Sequence, residues 1–374
     1  MANALVVASF AESLITFRKE LLLRLRQEGY QVHVAAPELV GTTQAQLQEM
    51  GCITHSIPLQ RNGLNPFHDL ATLLALWRLI RRIGCEMTLS YTIKPVIYAS
   101  LAAWLCGVPK RIAMITGLGF AFTATPSGLR AWISGIARRL YKVALSKATL
   151  VFFQNPDDLA LFSGTGLVSA EKCRLVNGSG VNLAHYQFEP VATDKDAVHF
   201  LMIARLLADK GVREYAAAAS IVKRQYPNAE FHLVGWLDSN PTAVSQTELD
   251  QWCTDGLITF HGRLEDVRPV ITDCDVYVLP SYREGTPRTV LEAMSVGRPV
   301  ITTDAPGCRE TVQQGVNGFL VPVADADALA EAMLKFVNQP HLVHAMGVAS
   351  RKLVAAKYDV HAVNSTVIDA IRQL

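Results

Sequence analysis

Two carboxylates frame the segment Glu284-Gly-Thr-Pro-Arg-Thr-Val-Leu-Glu292. The segment follows an apolar run, Val276-Tyr-Val-Leu-Pro280, that reads as a buried strand, and it opens a helix. Gly285 lets the backbone approach a ligand closely, and Pro287 suits a first helical turn. Amides at such a helix start, around Thr289 and Val290, have no partner within the helix and suit a phosphate, with Gly285, Thr286 and Pro287 lining the approach. Glu284 falls on the loop and Glu292 about a turn inside the helix, so the two can reach different parts of one long ligand. Taken alone, the same pattern also describes an ordinary helix start with two surface glutamates.

A second segment, Met202-Ile-Ala-Arg205-Leu-Leu-Ala-Asp-Lys210-Gly211, places Arg and Lys five apart on a loop after another strand. Arginine offers a planar fork to phosphate oxygens and lysine a mobile point charge, so the pair can neutralise a diphosphate. Basic residues on a solvated loop are the commoner meaning of such a pair; the position at a strand's C-terminal end favours function. A weaker signal is Gly117-Leu-Gly119 after the strand ending at Ile115, which lacks the third glycine of a dinucleotide fingerprint.

The elements that must position these residues follow from the apolar patterning. Short apolar runs at Leu5–Ala8, Gln31–Ala35, Met87–Ser90, Arg111–Ile115 and Thr149–Phe153 alternate with helical stretches such as Glu12–Gln27, Pro66–Ile83 and Gly128–Ser146. The pattern restarts with strands at Val198–Ile203, Glu230–Val234, Ile258–His261, Val276–Leu279 and Val300–Thr302, and the helix Val212–Gln225. Strands alternating with helices mean βαβ units and parallel sheets. With 374 residues, above the roughly 250–300 at which one core stops growing, two domains are expected. The expected divisions are residues 1–185, 186–357 and a C-terminal helix, 358–374, packing back on the first domain, with polar Asn182–Ala197 as a linker. Two doubly wound sheets in tandem would turn strand C-termini toward a shared cleft, where ligands of such folds bind.

Half of the residues are apolar and 18% are charged, an ordinary globular balance. The net charge of +2 hides an asymmetry: residues 1–190 hold 18 Lys/Arg against 11 Asp/Glu, and the remainder 17 against 22. No nucleic-acid partner is expected. Seven scattered cysteines, with no CxxC, fit a reducing cytosol better than disulfides or a zinc site. The ten histidines show no HExxH spacing, so no metal site is expected, and His33 and His232 read as core or edge residues. No signal peptide is visible, and the apolar stretches are too short to span a bilayer. The helix Leu129–Lys147 interleaves Arg130, Arg138, Arg139, Lys142 and Lys147 with Trp132, Ile133, Ile136, Leu140, Tyr141 and Val143. This pattern suits either an anionic membrane surface or a helix packed on the first sheet with a solvated basic face.

Across nearly its whole length the chain resembles the retaining glycosyltransferases of family 4, which have two facing Rossmann-like, doubly wound domains, the GT-B fold. The resemblance runs through Phe153-Gln-Asn155-Pro, Gly178-Ser-Gly180-Val, Gly297-Arg-Pro299-Val and Gly315-Val-Asn-Gly318. Glu284 and Glu292 match the family's Glu-x7-Glu motif, Arg205 and Lys210 its diphosphate-binding pair, and Gly262-Arg263-Leu264 the loop lining the nucleobase. Tyr91-Thr-Ile-Lys94-Pro and Thr116-Gly-Leu-Gly119 are similar to bacterial enzymes of surface-polysaccharide assembly, such as those extending diphospho-undecaprenol-linked bacillosamine. The resemblance implies that Glu284 touches the donor sugar, Glu292 binds the ribose hydroxyls, and Gly117 and Gly119 face the donor. Thr116 stands where many members carry a donor-contacting histidine.

What this implies is a UDP-sugar donor as substrate, no cofactor and no metal. The acceptor is a polyprenyl-diphosphate-linked saccharide, and the location is cytoplasmic and peripheral on the inner face of the plasma membrane. A nucleotide-sugar 2-epimerase of the same fold, a non-catalytic nucleotide-sugar-binding subunit and a transferase with a water-soluble acceptor are the alternatives.

Overall fold

The computed structural model describes residues 1–60, 65–118, 129–191, 197–238, 240 and 242–374, the side chains of 129–134 excepted. Gly119 therefore lies outside the described residues, as do the side chains of Arg130, Trp132 and Ile133. The described chain forms two units, Met1–Ser179 with His361–Leu374, and Gly180–Val360. The crossings at 179/180 and 360/361 stand a few residues from the expected 185/186 and 357/358.

The first unit is built on strands β1 (Ala2–Val7), β2 (Tyr30–Ala36), β3 (Ile53–Ser56), β4 (Cys85–Tyr91), β5 (Lys110–Ile115), β6 (Leu150–Phe153) and β7 (Cys173–Leu175). They form one parallel sheet in the order β3-β2-β1-β4-β5-β6-β7. Successive residues of a strand face opposite sides, and both sides of β1 are dry. Leu5 and Val7 join a core with the helices Pro66–Ile83, Ile93–Leu105 and Leu129–Lys147, while Ala4 and Val6 join a second core with Lys19–Gln27 and Val360–Arg372. A sheet covered on both faces needs continuous apolar strands, which is why these runs read as strands without alternation. The terminal helix lays Val363, Val367, Ile368 and Ile371 against this second core.

The second unit repeats the scheme with β8 (His199–Ile203), β9 (Glu230–Val234), β10 (Thr259–Phe260), β11 (Val276–Leu279), β12 (Val300–Thr303) and β13 (Gly318–Val321), ordered β10-β9-β8-β11-β12-β13 and parallel. In both sheets the order reverses beside the unit's first strand, between β1 and β4 and between β8 and β11. Ligands of doubly wound sheets bind outside the strand C-termini at such a switch point.

Several expectations need correction. Glu12–Gln27 is two helices, Glu12–Thr16 and Lys19–Gln27. The break falls at Arg18, whose side chain is buried with its guanidinium over the Tyr91 ring, 5.0 Å from its centroid. The edge strands β3 and β7 are short and partly exposed, so they carry little apolar signal, whereas β13, apolar and mostly buried, escaped all the same. The segment expected as a linker is anchored to the second unit. Ser295 Oγ donates to Tyr186 O at 2.6 Å, Glu189 N donates to Val296 O at 3.0 Å, and Phe188 sits against Gly297. Arg298, fully buried, donates to the carbonyls of Ile271, Thr272, Glu189 and Val296. Tyr141 is not on a membrane-facing surface: it is buried, edge-on to Phe162.

Candidate functional site

The loops that leave β8 and β11 are stitched together at the second switch point. After β8 the chain makes a 3-10 turn, Ala208–Lys210, and Gly211 then starts the next helix in a left-handed conformation (φ +74°). A Cβ on Gly211 would fall 2.2 Å from the Pro280 carbonyl oxygen, so only glycine lets the two loops approach this closely. Tyr282 N donates to Asp209 O at 2.9 Å, and the Tyr282 hydroxyl donates to Glu214 at 2.6 Å. A third loop completes the set. Glu284 N donates to Pro306 O at 3.0 Å, and a Cβ on Gly307 would fall 2.1 Å from the Glu284 carbonyl oxygen.

This scaffold brings together the residues expected from the two motifs. Lys210 Nζ lies 2.5 Å from Glu284 Oε1, with both side chains mostly shielded from solvent. Arg205 Nη1 lies 3.1 Å from Asp238 Oδ2. Glu292 is buried one turn inside the helix Arg288–Val296, with its Oε1 3.0 Å from Arg288 Nε. Burial pushes the Glu292 carboxyl above its ordinary value; the Arg288 charge, a hydrogen bond from Tyr186 and the Arg288 hydrogen bond pull it back only in part. Burial, with Glu292 beside it, likewise raises the Tyr186 phenol. Pro287 is the residue before the helix rather than its first residue, and its own side chain makes no cap hydrogen bond. Its first amides, at Arg288, Thr289 and Val290, belong to the group that finds no partner within a helix. Gly285 is buried and Thr286 half-buried beside this end. The Thr289 hydroxyl sits 3.4 Å from Ile203 O, which ties the helix start to the end of β8.

Arg263 follows β10 and is exposed, its guanidinium 5.2 Å from the centroid of the Trp236 ring, itself exposed after β9. Leu206 N donates to Trp236 O at 3.1 Å and Gly235 N to Gly262 O at 2.9 Å, which holds this flat shelf next to the Arg205 loop. Gly117 lies in the first unit after β5 with φ +148°, a conformation that favours glycine.

Four residues of this arrangement escape the motif reading: Asp238, Trp236, Arg288 and Tyr186. Arg288 had a signal, since it stands four residues before Glu292 where helical partners meet. Trp236 had one as well, an aromatic directly after a strand end. Asp238 and Tyr186 reach the site from distant loops, and no local spacing marks them.

Chemically, the site offers the cations Arg205, Lys210, Arg263 and Arg288, the carboxylates Asp238, Glu284 and Glu292, and a helix N-terminus around one switch point. With positive and negative groups interleaved, anion binding here rests on directed donors and not on a net field.

Comparison with known proteins follows the same division of the chain. Residues 5–155 match the family model described as glycosyl transferase 4-like, and residues 197–339 that described as glycosyl transferases group 1. The chain is 28% identical over 331 residues, 85% of each chain, to the N,N'-diacetylbacillosaminyl-diphospho-undecaprenol alpha-1,3-N-acetylgalactosaminyltransferase of Campylobacter jejuni. It is 23% identical, over 75% of its length and 74% of the relative's, to the Escherichia coli UDP-Gal:alpha-D-GlcNAc-diphosphoundecaprenol alpha-1,3-galactosyltransferase. Among solved structures, sucrose-phosphate synthase from Thermosynechococcus elongatus aligns with a TM-score of 0.81 at 19% identity, over 100% of this chain and 99% of that one. Anabaena HepE, in complex with UDP and glucose, aligns at 0.80 and 16% identity over 100% of both.

Proposed function

We infer that this chain, a glycosyltransferase by the match of both its halves to glycosyltransferase family models, moves a hexose or N-acetylhexosamine from a UDP-sugar to a saccharide carried on a polyprenyl diphosphate. The product would be a growing bacterial surface glycan such as O-antigen, capsule or a glycoprotein glycan. The observation that carries the donor half of this reading is the Lys210–Glu284 contact at 2.5 Å beside the helix start at Arg288. The leaving diphosphate would lie across the amides of Arg288, Thr289 and Val290, with Arg205 and Lys210 on its oxygens. Glu284, touching Lys210, would face the sugar next to that phosphate. Negative charge develops on the leaving group in the transition state, and donors fixed in advance stabilise it there. Glu292 would accept from the ribose hydroxyls, and the Trp236–Arg263 shelf would take the base.

Retention of configuration is supported by chemistry. UDP-galactose is an α-glycoside, so an alpha-1,3 product, the linkage in the E. coli relative's name, keeps the anomeric configuration. With Glu284 bound to Lys210 and not isolated as a nucleophile, front-face attack is the step proposed. The acceptor oxygen bonds to the anomeric carbon as the carbon–phosphate oxygen bond breaks, and the acceptor proton passes to the leaving phosphate. Charge neutralisation by Arg205, Lys210 and the helix start makes a divalent ion unnecessary, so transfer should persist in EDTA.

For the acceptor we propose the first unit, docked on an anionic membrane. No described helix is long and apolar enough to cross one. The helix Leu129–Lys147 exposes Ile136, Leu140 and Val143 together with Arg138, Arg139 and Lys142. The neighbouring helices expose Trp104, Leu105, Phe67, Leu70 and Leu74. Such a mixed apolar and basic face suits the headgroup region of the inner leaflet.

A panel of UDP-sugars, each with lipid-linked or water-soluble acceptors or none, tests the proposal through UDP release and product. The expected result is release that depends on the lipid-linked acceptor. An epimerised sugar formed without acceptor, or preference for a water-soluble one, would overturn it.

A further inference from the structure

The second sheet carries a group of side chains that sugar transfer does not use. His199 opens β8, Glu230 opens β9, and the two are register partners on adjacent strands. His232 stands two residues beyond Glu230, so it projects from the same face of β9. Glu230 Oε2 lies 3.2 Å from His232 Nε2 and 3.7 Å from His199 Nε2, and the three ligand atoms all fall within 4.8 Å of one another. A tetrahedral zinc-type centre with bonds of about 2.0–2.1 Å sets neighbouring ligand atoms roughly 3.3–3.5 Å apart, close to what the side chains already show.

The surroundings fit as well. His232 Nδ1 is 3.1 Å from His261 Nε2, so the ring nitrogen turned away from the group has a partner that fixes its orientation, as metal-bound imidazoles usually do. The His199 and His232 rings pack with centroids 5.6 Å apart, and both are largely shielded, while Glu230 is half exposed and leaves a path for an ion.

We propose that His199, Glu230 and His232 bind one divalent transition-metal ion of the zinc class, with His261 steadying the His232 ring. Two histidines and a carboxylate leave a fourth position for water. The ion would clip the starts of β8 and β9 together. It would take no part in transfer, because Arg205 and Lys210 follow the other end of β8, on the order of 15 Å away along a strand of this length. The first unit supplies an internal control. His33 and His55 also stack, Nδ1 to Nε2 at 2.9 Å, but those nitrogens bond each other, and the ionic charge acting on both rings is that of Arg82.

The test is calorimetric titration of the chelator-treated, dialysed full-length protein with Zn²⁺. It is paired with the visible spectrum of the Co²⁺ form, thermal unfolding with and without metal, and transfer assays. The expected result is one saturable equivalent, a nitrogen and oxygen ligand spectrum, and a higher Tm with metal. Glu230→Gln should weaken affinity by at least about 10-fold. His199→Ala with His232→Ala should remove binding, His33→Ala with His55→Ala should not, and transfer should stay unchanged in all of them. If the double histidine variant fails to fold, Glu230→Gln alone decides. No stoichiometric zinc, equal affinity in Glu230→Gln, or a thiolate-to-cobalt band from the exposed Cys253 would overturn the site.

Discussion

The two switch points of this molecule are formed by the same strand order and lined by different chemistry. Between β1 and β4 hydroxyls bond to one another, with the Arg18 guanidinium over the Tyr91 ring and Lys94 paired to Asp69 nearby. Thr92, held at φ +67°, donates from Oγ1 to Ser9 Oγ at 2.8 Å, and Ser13 Oγ lies 2.8 Å from the Tyr91 hydroxyl. Between β8 and β11 the lining is ionic, with Lys210–Glu284, Arg205–Asp238 and Arg288–Glu292. The fold therefore supplies a switch point twice, and in the proposed reading the side chains decide which one takes the donor diphosphate. Overall charge points the other way: the basic excess belongs to residues 1–190, yet the site proposed for a diphosphate is in the acidic half. Directed donors outweigh net charge at this range.

The largest effect should come from emptying the second switch point of its cations. Removing one donor to developing transition-state charge costs about 10²–10³ in rate, so Arg205→Ala and Lys210→Ala should each lose that much. Circular dichroism and Tm would stay near wild type. Thr92→Val at the other switch point should leave UDP affinity untouched. A folded Arg205→Ala, Lys210→Ala double variant with normal kcat would break the contrast.

Next is a steric test. Gly307→Ala pushes a methyl into the Glu284 carbonyl and displaces the Glu284 loop. Misplacement by about 1 Å typically costs 10²-fold in turnover, so kcat should fall far more than UDP affinity does. Equal losses in both would show that the loop positions the nucleotide and not the sugar.

A smaller effect belongs to Glu292. Hydrogen bonds to a charged group contribute about 1.5–3 kcal/mol, so Glu292→Gln should bind UDP roughly 10–100-fold more weakly by calorimetry. The same variant carries a pH signature. Burial raises the folded Glu292 carboxyl above its ordinary value of 4.5. Stability from this group is therefore present at low pH and falls as pH rises from there through the raised folded value. Denaturant titrations should show that slope in wild type and not in Glu292→Gln.

The smallest expected effect on chemistry sharpens the role of the first unit. Each exposed Lys or Arg near an anionic leaflet contributes about 1 kcal/mol. Arg138→Glu, Arg139→Glu and Lys142→Glu together should abolish low-salt cosedimentation with anionic vesicles. Transfer to lipid-linked acceptor should slow more than donor hydrolysis. Unchanged sedimentation would leave this helix as a packed element only.

Most of the architecture was legible because strands buried on both faces must be continuously apolar, as Val276–Leu279 is. The exposed edge strand Ile53–Ser56 obeys no such constraint and escaped. In the site, Glu284, Glu292, Arg205 and Lys210 were readable because each follows directly from a strand end or helix start. The partner of Arg205 was not: Asp238 meets it only because β8 and β9 are neighbours in the sheet. The same cause hid the histidine group, whose members are spread over separate strands. The helix break at Arg18 carries no local breaker residue, and the ring that its guanidinium covers, Tyr91, is distant in sequence.

The central claim is that the donor nucleotide sits at the switch point of the second unit, and a crystal structure with UDP tests it most directly. The account predicts the diphosphate within hydrogen-bonding distance of Arg205, Lys210 and the amides of residues 288–290, the ribose on Glu292, and the base beside Trp236 and Arg263. UDP bound instead at Ser9 and Thr92, or held without contact to Arg205 and Lys210, would contradict it.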